Sequence, residues 1–323
     1  MAIALNVFQE QQDLKNKKRY NEGYRLVGRH SAVKICAYCK KAIRGQDVCY
    51  KNTFYGIESW RCVQMSPTFF CDHRCGFCWR DIEYVWPKWQ GPVDDPKDIV
   101  EGSIKAHVEL LQGFKGSSKT VEERLKEMGK PLHFAISLTG EPTMYPRLHE
   151  MIDYIKEKGM TSFLVTNGTL PDMVEKLIDH QPTQLYISVY GSNKEMHQKT
   201  ANPITKDAWE RLQRSLSMMN KFNRNVMRLT LTKGFNFTDP EGYAKLIEKY
   251  KPMFVETKGY SFVGHSQQRL EVKNMPYHDE ILEFAKKIEE NSSYKVIDCK
   301  AESKVALLVR EDFEGRKMDF EGL

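Results

Sequence analysis

The residues best suited to do chemistry are three cysteines in Cys71-Asp-His-Arg-Cys75-Gly-Phe-Cys78, directly after the apolar run Pro67-Thr68-Phe69-Phe70. Thiolates spaced C-x3-C-x2-C must lie on one loop folded around a compact object. A structural zinc ion normally takes four protein ligands. Three cysteines on one loop fit a [4Fe–4S] cubane better, because its fourth iron is then left for a ligand that is not protein. Gly76 lets the backbone approach such a cluster closely. A zinc knuckle with a distant fourth ligand, or coincidence, is the competing explanation.

Cys36, Cys49 and Cys62 form a second set, spaced C-x12-C-x12-C. That spacing is too wide for one loop, so these side chains must come from consecutive turns or short strands. They could hold a second [4Fe–4S] cluster, again with one iron open. Alternatively Cys36-Ala-Tyr-Cys39 is a CxxC that would join Cys49 and Cys62 in a four-cysteine zinc site, and spacing alone favours zinc. Seven of the eight cysteines lie within residues 36–78. The opening MAIALNVFQEQQ has no basic stretch followed by a long apolar run, so a secretory signal is not expected. Thiols in a reducing compartment bind metal more often than they pair. Cys299 reads as a strand-end core cysteine, and Met218-Met219 as core packing.

These loops need a scaffold. The chain has 323 residues, 41% hydrophobic and 28% charged, an ordinary globular composition with room for a large core. No apolar run approaches the roughly 18–20 residues of a membrane span. Strand-like segments are expected at 67–70, 132–138, 161–166, 184–190, 226–232 and 253–262. Amphipathic helices are expected near 96–114, 147–158, 171–179, 206–221 and 240–250. Asp95-Pro96 and Asp239-Pro240 read as helix starts, and 116–131 as an insertion with a short exposed helix. The tail suggests a helix at 278–290 and strands at 294–298 and 304–310. Strand alternating with helix predicts parallel βαβ units. The fold class is therefore α/β, with an irregular Cys-rich region at 1–65, a barrel-like body at 66–276 and a small α+β extension at 277–323.

Strand C-termini are where α/β barrels gather their chemistry. Here they carry Thr139-Gly140-Glu141-Pro142, Thr166-Asn167-Gly168 and Ile187-Ser188-Val189-Tyr190-Gly191. With the cysteine triplet before them, these strings resemble the radical S-adenosylmethionine (SAM) superfamily and its partial (β/α)6 barrel. The resemblance implies that Cys71, Cys75 and Cys78 hold a [4Fe–4S] cluster whose open iron chelates SAM. It implies that one electron cleaves SAM to methionine and a 5′-deoxyadenosyl radical. Phe77 stands where the superfamily has an aromatic near the adenine. Thr139, Gly140 and Glu141 match its GGEP-type motif, with Thr in place of a Gly, and Asn167 and Ser188 stand at strand ends that contact SAM.

Both cysteine sets, in this order and spacing, with Trp79-Arg80 following, resemble the tRNA 4-demethylwyosine synthases over roughly residues 20–310. Such an enzyme condenses N1-methylguanosine at position 37 of tRNA-Phe with a two-carbon unit of pyruvate, as a carbon–carbon lyase or synthase of wyosine tRNA modification. The resemblance implies two [4Fe–4S] clusters, the second held by Cys36, Cys49 and Cys62 and able to chelate pyruvate. Cys39 lies outside the family pattern. Lys51 follows Cys49 by two, which on an extended chain puts both on one side. A lone lysine in a basic segment is usually a solvated surface residue. The family resemblance makes it the Schiff-base partner of the pyruvate keto group, which requires burial to outweigh the cluster's negative charge.

Charge fits a polyanion. Residues 14–51 carry eleven Lys and Arg against Glu22 and Asp47, while the whole chain is only +6. Trp79, Tyr84, Trp86 and Trp89 could form a stacking wall for an extracted base, or a packed lid. Arg211, Arg214, Lys221, Arg224 and Arg228 are candidate phosphate contacts. No stretch remains for a flavodoxin-like domain, so a separate electron donor such as flavodoxin or ferredoxin is expected, in a cytoplasmic protein with no membrane partner. The alternatives are a radical SAM enzyme on another substrate and a non-catalytic zinc-stabilised tRNA-binding module.

Overall fold

The computed structural model describes residues 18–82 and 85–320. Among them ten strands form one sheet. Six are parallel neighbours in sequence order: β3 (Cys62–Ser66), β4 (His133–Ile136), β5 (Thr161–Thr166), β6 (Gln184–Val189), β7 (Asn225–Leu231) and β8 (Phe254–Gly259). Antiparallel strands extend both edges. β2 (Ser31–Val33) pairs with β3 and β1 (Arg25–Val27) with β2, while β10 (Val305–Val309) pairs with β8 and β9 (Lys295–Lys300) with β10. This is a partial (β/α)6 barrel, the class the strand–helix alternation predicts.

Two expectations give way. The first barrel strand is Cys62–Ser66 rather than 67–70, because Pro67 cannot extend the ladder and the chain turns there into the cysteine loop. The N-terminal region is not irregular. Besides β1 and β2 it holds α1 (Ala37–Ile43) and α2 (Tyr50–Tyr55), which begin just after Cys36 and Cys49. Short six- and seven-residue helices carry too few turns to show a periodic stripe, so they leave little trace in the sequence.

The connecting helices expected near 96–114, 147–158, 171–179, 206–221 and 240–250 form, and a further one, not expected, lies at Lys194–Ala201. Asp95 accepts a hydrogen bond from the Lys97 amide and opens α3 (Pro96–Leu111), and α4 (Glu122–Glu127) is the exposed helix of the insertion. There follow α5 (Leu148–Glu157), α6 (Pro171–Lys176), α7 (Lys194–Ala201), α8 (Ala208–Met218), α9 (Pro240–Tyr250) and α10 (His278–Glu290). Their apolar faces cover the outward side chains of the strands, Phe134, Leu164, Ile187, Leu229 and Val255 among them, and Met218 and Met219 pack in this core. The inward side chains form a second core, where Tyr50, Phe54 and Tyr55 of α2 meet Phe163, Tyr186, Val226 and Phe254. Helix α2 therefore fills the barrel interior. Cys299 on β9 is exposed, not in the core, because β9 is the edge strand.

Candidate active site

The loop after β3 folds back over the barrel mouth. Cys71 and Cys75 are buried, Cys78 is half-buried, and all three are free thiols. Burial pushes the Cys71 thiol up to about 12, and Cys75 rises well above its usual range, first from burial and then from Cys78 and Cys71. The three sulfurs thus lie within electrostatic reach of one another. Buried Arg80 is their countercharge: burial works against its charge, but Cys71, Cys78 and Cys75 more than offset this and hold its pKa above the ordinary value. Arg80 also donates to the His73 carbonyl at 3.1 Å. From the far side Arg269 donates to the carbonyls of Gly76 at 3.2 Å and of Cys78. Both arginines lock the loop through its backbone; Arg80 follows the cysteine motif directly, whereas no motif marks Arg269.

A cavity of about 140 Å³ lies against the three cysteines and is walled by Phe77, Thr139, Gly140, Glu141, Asn167 and Ser188. All six residues expected around SAM therefore meet in one place. They do so in different ways. Gly140 sits at φ +66°, and a Cβ there would come within 2.4 Å of the Thr68 carbonyl oxygen and 2.6 Å of that of Phe70, so the strand end requires glycine. Glu141 is not a free carboxylate. It accepts from the Thr143 amide at 3.1 Å, the Thr143 and Thr166 hydroxyls at 2.6 Å each, and the Asn167 amide at 2.7 Å. Burial pushes its pKa up to about 7, against the pull of those donors. Asn167 donates from its side chain to Asp72 at 2.6 Å and accepts from the Thr169 amide at 3.0 Å. Glu141 and Asn167 therefore brace the wall, and Asp72 inside the cysteine motif ties the loop to the end of β5.

The second cysteine set lies deeper. Cys36 and Cys49 precede α1 and α2, and Cys62 opens β3 with its side chain on the inward face. All are free. Burial pushes Cys49 up to about 11, with Cys36 adding to it. Burial takes Cys62 to about 12, where Lys51 pulls it down while Cys36 and Cys49 push it up. These three sulfurs also share one field. Cys39 lies in reach of the same field, pushed up by burial and then by Cys62 and Cys36, and packs in an apolar cluster with Ile35, Ile43, Leu111 and Met128, against which Cys36 also packs. Among the described residues no three His, Cys, Asp or Glu side chains converge on a site for a single metal ion.

Lys51 is not on extended chain: it lies in the first turn of α2, and the helix turns it into the barrel. It is 8% exposed, with Nζ 4.4 Å from the centre of the Tyr186 ring and 5.4 Å from that of Phe163. Burial lowers its pKa, Arg228 lowers it further, and Cys49, Glu256 and Cys62 oppose. Burial therefore outweighs the neighbouring sulfurs.

A larger cleft of about 940 Å³ opens beside the first cavity and shares Trp79, Arg80 and Thr139 with it. Tyr24 and Trp79 lie parallel there, with ring centres 6.1 Å apart. Lys34 Nζ stands 4.7 Å from the Tyr24 ring, and Arg19 stacks 3.8 Å over Phe69. Trp79 thus lines a wall, with Tyr24 and Phe69 as partners the sequence did not single out. Trp86 and Trp89 pack edge-on against Phe70, and Trp89 also against His30. Tyr84 lies outside the described residues. Arg211 and Arg214 are paired with Asp207 and with Asp172 and Glu175, and Arg224 and Arg228 turn inward, so these four do not form the expected phosphate-binding set. Lys221 remains exposed on the opposite end of the barrel, at the start of β7.

A partial (β/α)6 barrel with three cysteines on its first loop and a polar cavity at the strand ends is the architecture of a radical SAM protein. A family profile described as the radical SAM superfamily matches residues 65–247, and one described as wyosine base formation matches residues 249–310. The chain is 44% identical over 305 residues to the S-adenosyl-L-methionine-dependent tRNA 4-demethylwyosine synthase of Pyrococcus horikoshii, covering 93% of this chain and 89% of the relative. The synthase of Pyrococcus abyssi is 45% identical, with 90% and 87% covered. A solved structure of TYW1 with a lysine-pyruvate adduct bound superposes with a TM-score of 0.84 at 36% identity, over 96% of this chain and 98% of that one. The chain belongs to the tRNA 4-demethylwyosine synthase family of radical SAM enzymes.

Proposed function

We propose that this protein is a SAM-dependent tRNA 4-demethylwyosine synthase, joining N1-methylguanosine at position 37 of tRNA-Phe to a two-carbon unit of pyruvate. The observation that carries this reading is the convergence, in one barrel, of two separate trios of free thiols with a buried lysine beside the second trio. The names of the relatives agree with it.

Cys71, Cys75 and Cys78 would hold the first [4Fe–4S] cluster, and the shared electrostatic field of three free thiols facing Arg80 fits that group. When bound, it supplies the electron that cleaves SAM. Phe77, Thr139, Gly140 and Ser188 offer SAM its walls, while Glu141 and Asn167 keep those walls in register. Cys36, Cys49 and Cys62 would hold a second cluster. Lys51, its pKa lowered by burial, attacks the keto carbon of pyruvate, and water leaves as the imine forms. The aromatic and basic cleft beside Trp79 suits a base drawn out of the anticodon loop, with Lys18 and Lys34 at its edge.

We read residues 1–65 as the region carrying the second ligand set, 66–276 as the barrel and 277–323 as an extension, with β3 shared across the first boundary. The electron comes from a separate donor of the flavodoxin or ferredoxin class. No helix among the described residues is long and apolar enough to cross a membrane, and a tRNA substrate fits the cytoplasm. The test is mass analysis of position 37 after incubation of tRNA with the reconstituted protein, SAM, reductant and isotopically labelled pyruvate. Two labelled carbons in a tricyclic base are expected. Purified protein that binds zinc without iron and leaves position 37 unchanged would refute the reading.

A further inference from the structure

Arg228 stands in the barrel between the two halves of the site. Its Cα partners in the sheet are Ser188 of β6, which lines the cavity beside the loop cysteines, and Glu256 of β8. Its guanidinium lies 5.8 Å from the centre of the Tyr186 ring, the same ring that Lys51 Nζ faces at 4.4 Å. It gives one hydrogen bond to the Tyr50 hydroxyl, at 2.6 Å. Its one carboxylate neighbour among the described residues is held by another residue as well: Glu256 Oε1 accepts from Tyr55 at 2.8 Å. Arg228 Nε is 3.5 Å from Glu256 Oε2, and both atoms are buried without a hydrogen-bond partner. Lys258 is also close by, with Nζ 5.2 Å from the Tyr50 ring. Lys51, Arg228 and Lys258 thus crowd around a single fully buried carboxylate.

A buried guanidinium whose Nε lacks a hydrogen-bond partner is costly unless a ligand satisfies it. We propose that Arg228 is the residue that recognises the carboxylate of the 2-oxo acid carried on Lys51. This rests on the Lys51 reading above and extends it. A keto carbon bonded to Lys51 has its carboxylate one bond away, so the partner cation must stand beside Lys51. Of the two other cations, only arginine presents a planar pair of N–H donors matched to a carboxylate. Glu256 and Tyr50 aim the guanidinium and leave its remaining donors for the ligand.

The test traps the imine. Lys51 Nζ bonds to C2, the keto oxygen leaves as water, and cyanoborohydride delivers hydride to C2 to fix a secondary amine. Full-length reconstituted protein is titrated with pyruvate and, separately, with uncharged pyruvamide, and the adduct is mapped by peptide mass. In Arg228→Met the pyruvate concentration for half-trapping should rise about tenfold to a hundredfold, the worth of one charge-assisted hydrogen-bonded pair. That for pyruvamide should move less than about threefold, on the same scale. Arg228→Lys, which keeps charge but loses the fork, should fall between and guards against a folding defect in the Met variant. Equal shifts for both ligands, or an unchanged preference for pyruvate, would overturn the Arg228 assignment while leaving Lys51 intact. Absence of any adduct at Lys51 in the unmutated protein would overturn both.

Discussion

Gly140→Ala puts the strand-end geometry to its sharpest test. The residue sits at φ +66°, and the added Cβ would meet two backbone carbonyl oxygens, those of Thr68 and Phe70, at 2.4 and 2.6 Å. A left-handed conformation costs a non-glycine residue about 1–2 kcal/mol. Neither carbonyl can swing away as a side chain would, since Phe70 O also accepts the Glu141 amide at 2.6 Å. Relief therefore requires the cysteine loop and the end of β4 to part, and the combined cost is about 2–4 kcal/mol. At a few degrees per kcal/mol, the thermal midpoint should fall by about 4–10 °C. SAM affinity, read by equilibrium binding to the anaerobically reconstituted protein, should fall about tenfold or more, because the Thr139–Glu141 backbone lining the cavity moves. Gly113→Ala is the control, as nothing lies within 4 Å of its added Cβ. If Gly140→Ala melts with the control and binds SAM normally, the strand end does not need glycine and the description of the wall is wrong.

Asp72→Ala should cost about 1–3 kcal/mol in urea unfolding, because the Asn167 amide and Thr169 hydroxyl lose their buried acceptor. An unchanged midpoint would mean the loop is anchored elsewhere. His107 has both ring nitrogens buried without partners, and burial lowers its pKa to about 4. A base whose folded pKa is depressed gives stability that is complete above the unfolded value and is lost as pH falls through the interval. Between pH 6.5 and 4.5 the natural protein should lose about 2 kcal/mol more than His107→Leu, and parallel pH profiles would refute this. Binding to tRNA should weaken about fiftyfold between 50 and 200 mM salt if some four phosphates are neutralised. A flat salt profile would move the tRNA away from the basic cleft.

The sequence alone was enough for much of this protein. The barrel helices and most of its strands follow from periodicity and from caps such as Asp95-Pro96. The spacing of Cys71, Cys75 and Cys78 dictates a common loop whatever surrounds it, because an eight-residue span has no other way to bring three sulfurs together. Strand-end polar strings mark one face, since parallel strands all finish on the same side. Tertiary structure decided the rest. That Lys51 is buried depends on α2 entering the barrel, which no local pattern records. Arg228 and Arg214 look alike in sequence. One points inward beside Glu256 because β7 alternates its side chains across the sheet, and the other pairs with Asp172 and Glu175 on the surface. Glu141 sits in a recognisable string, yet only the fold shows that Thr143, Thr166 and Asn167 occupy its carboxylate. Local spacing fixes which atoms can share a loop. Burial and charge pairing, which set reactivity, arise only when distant segments meet.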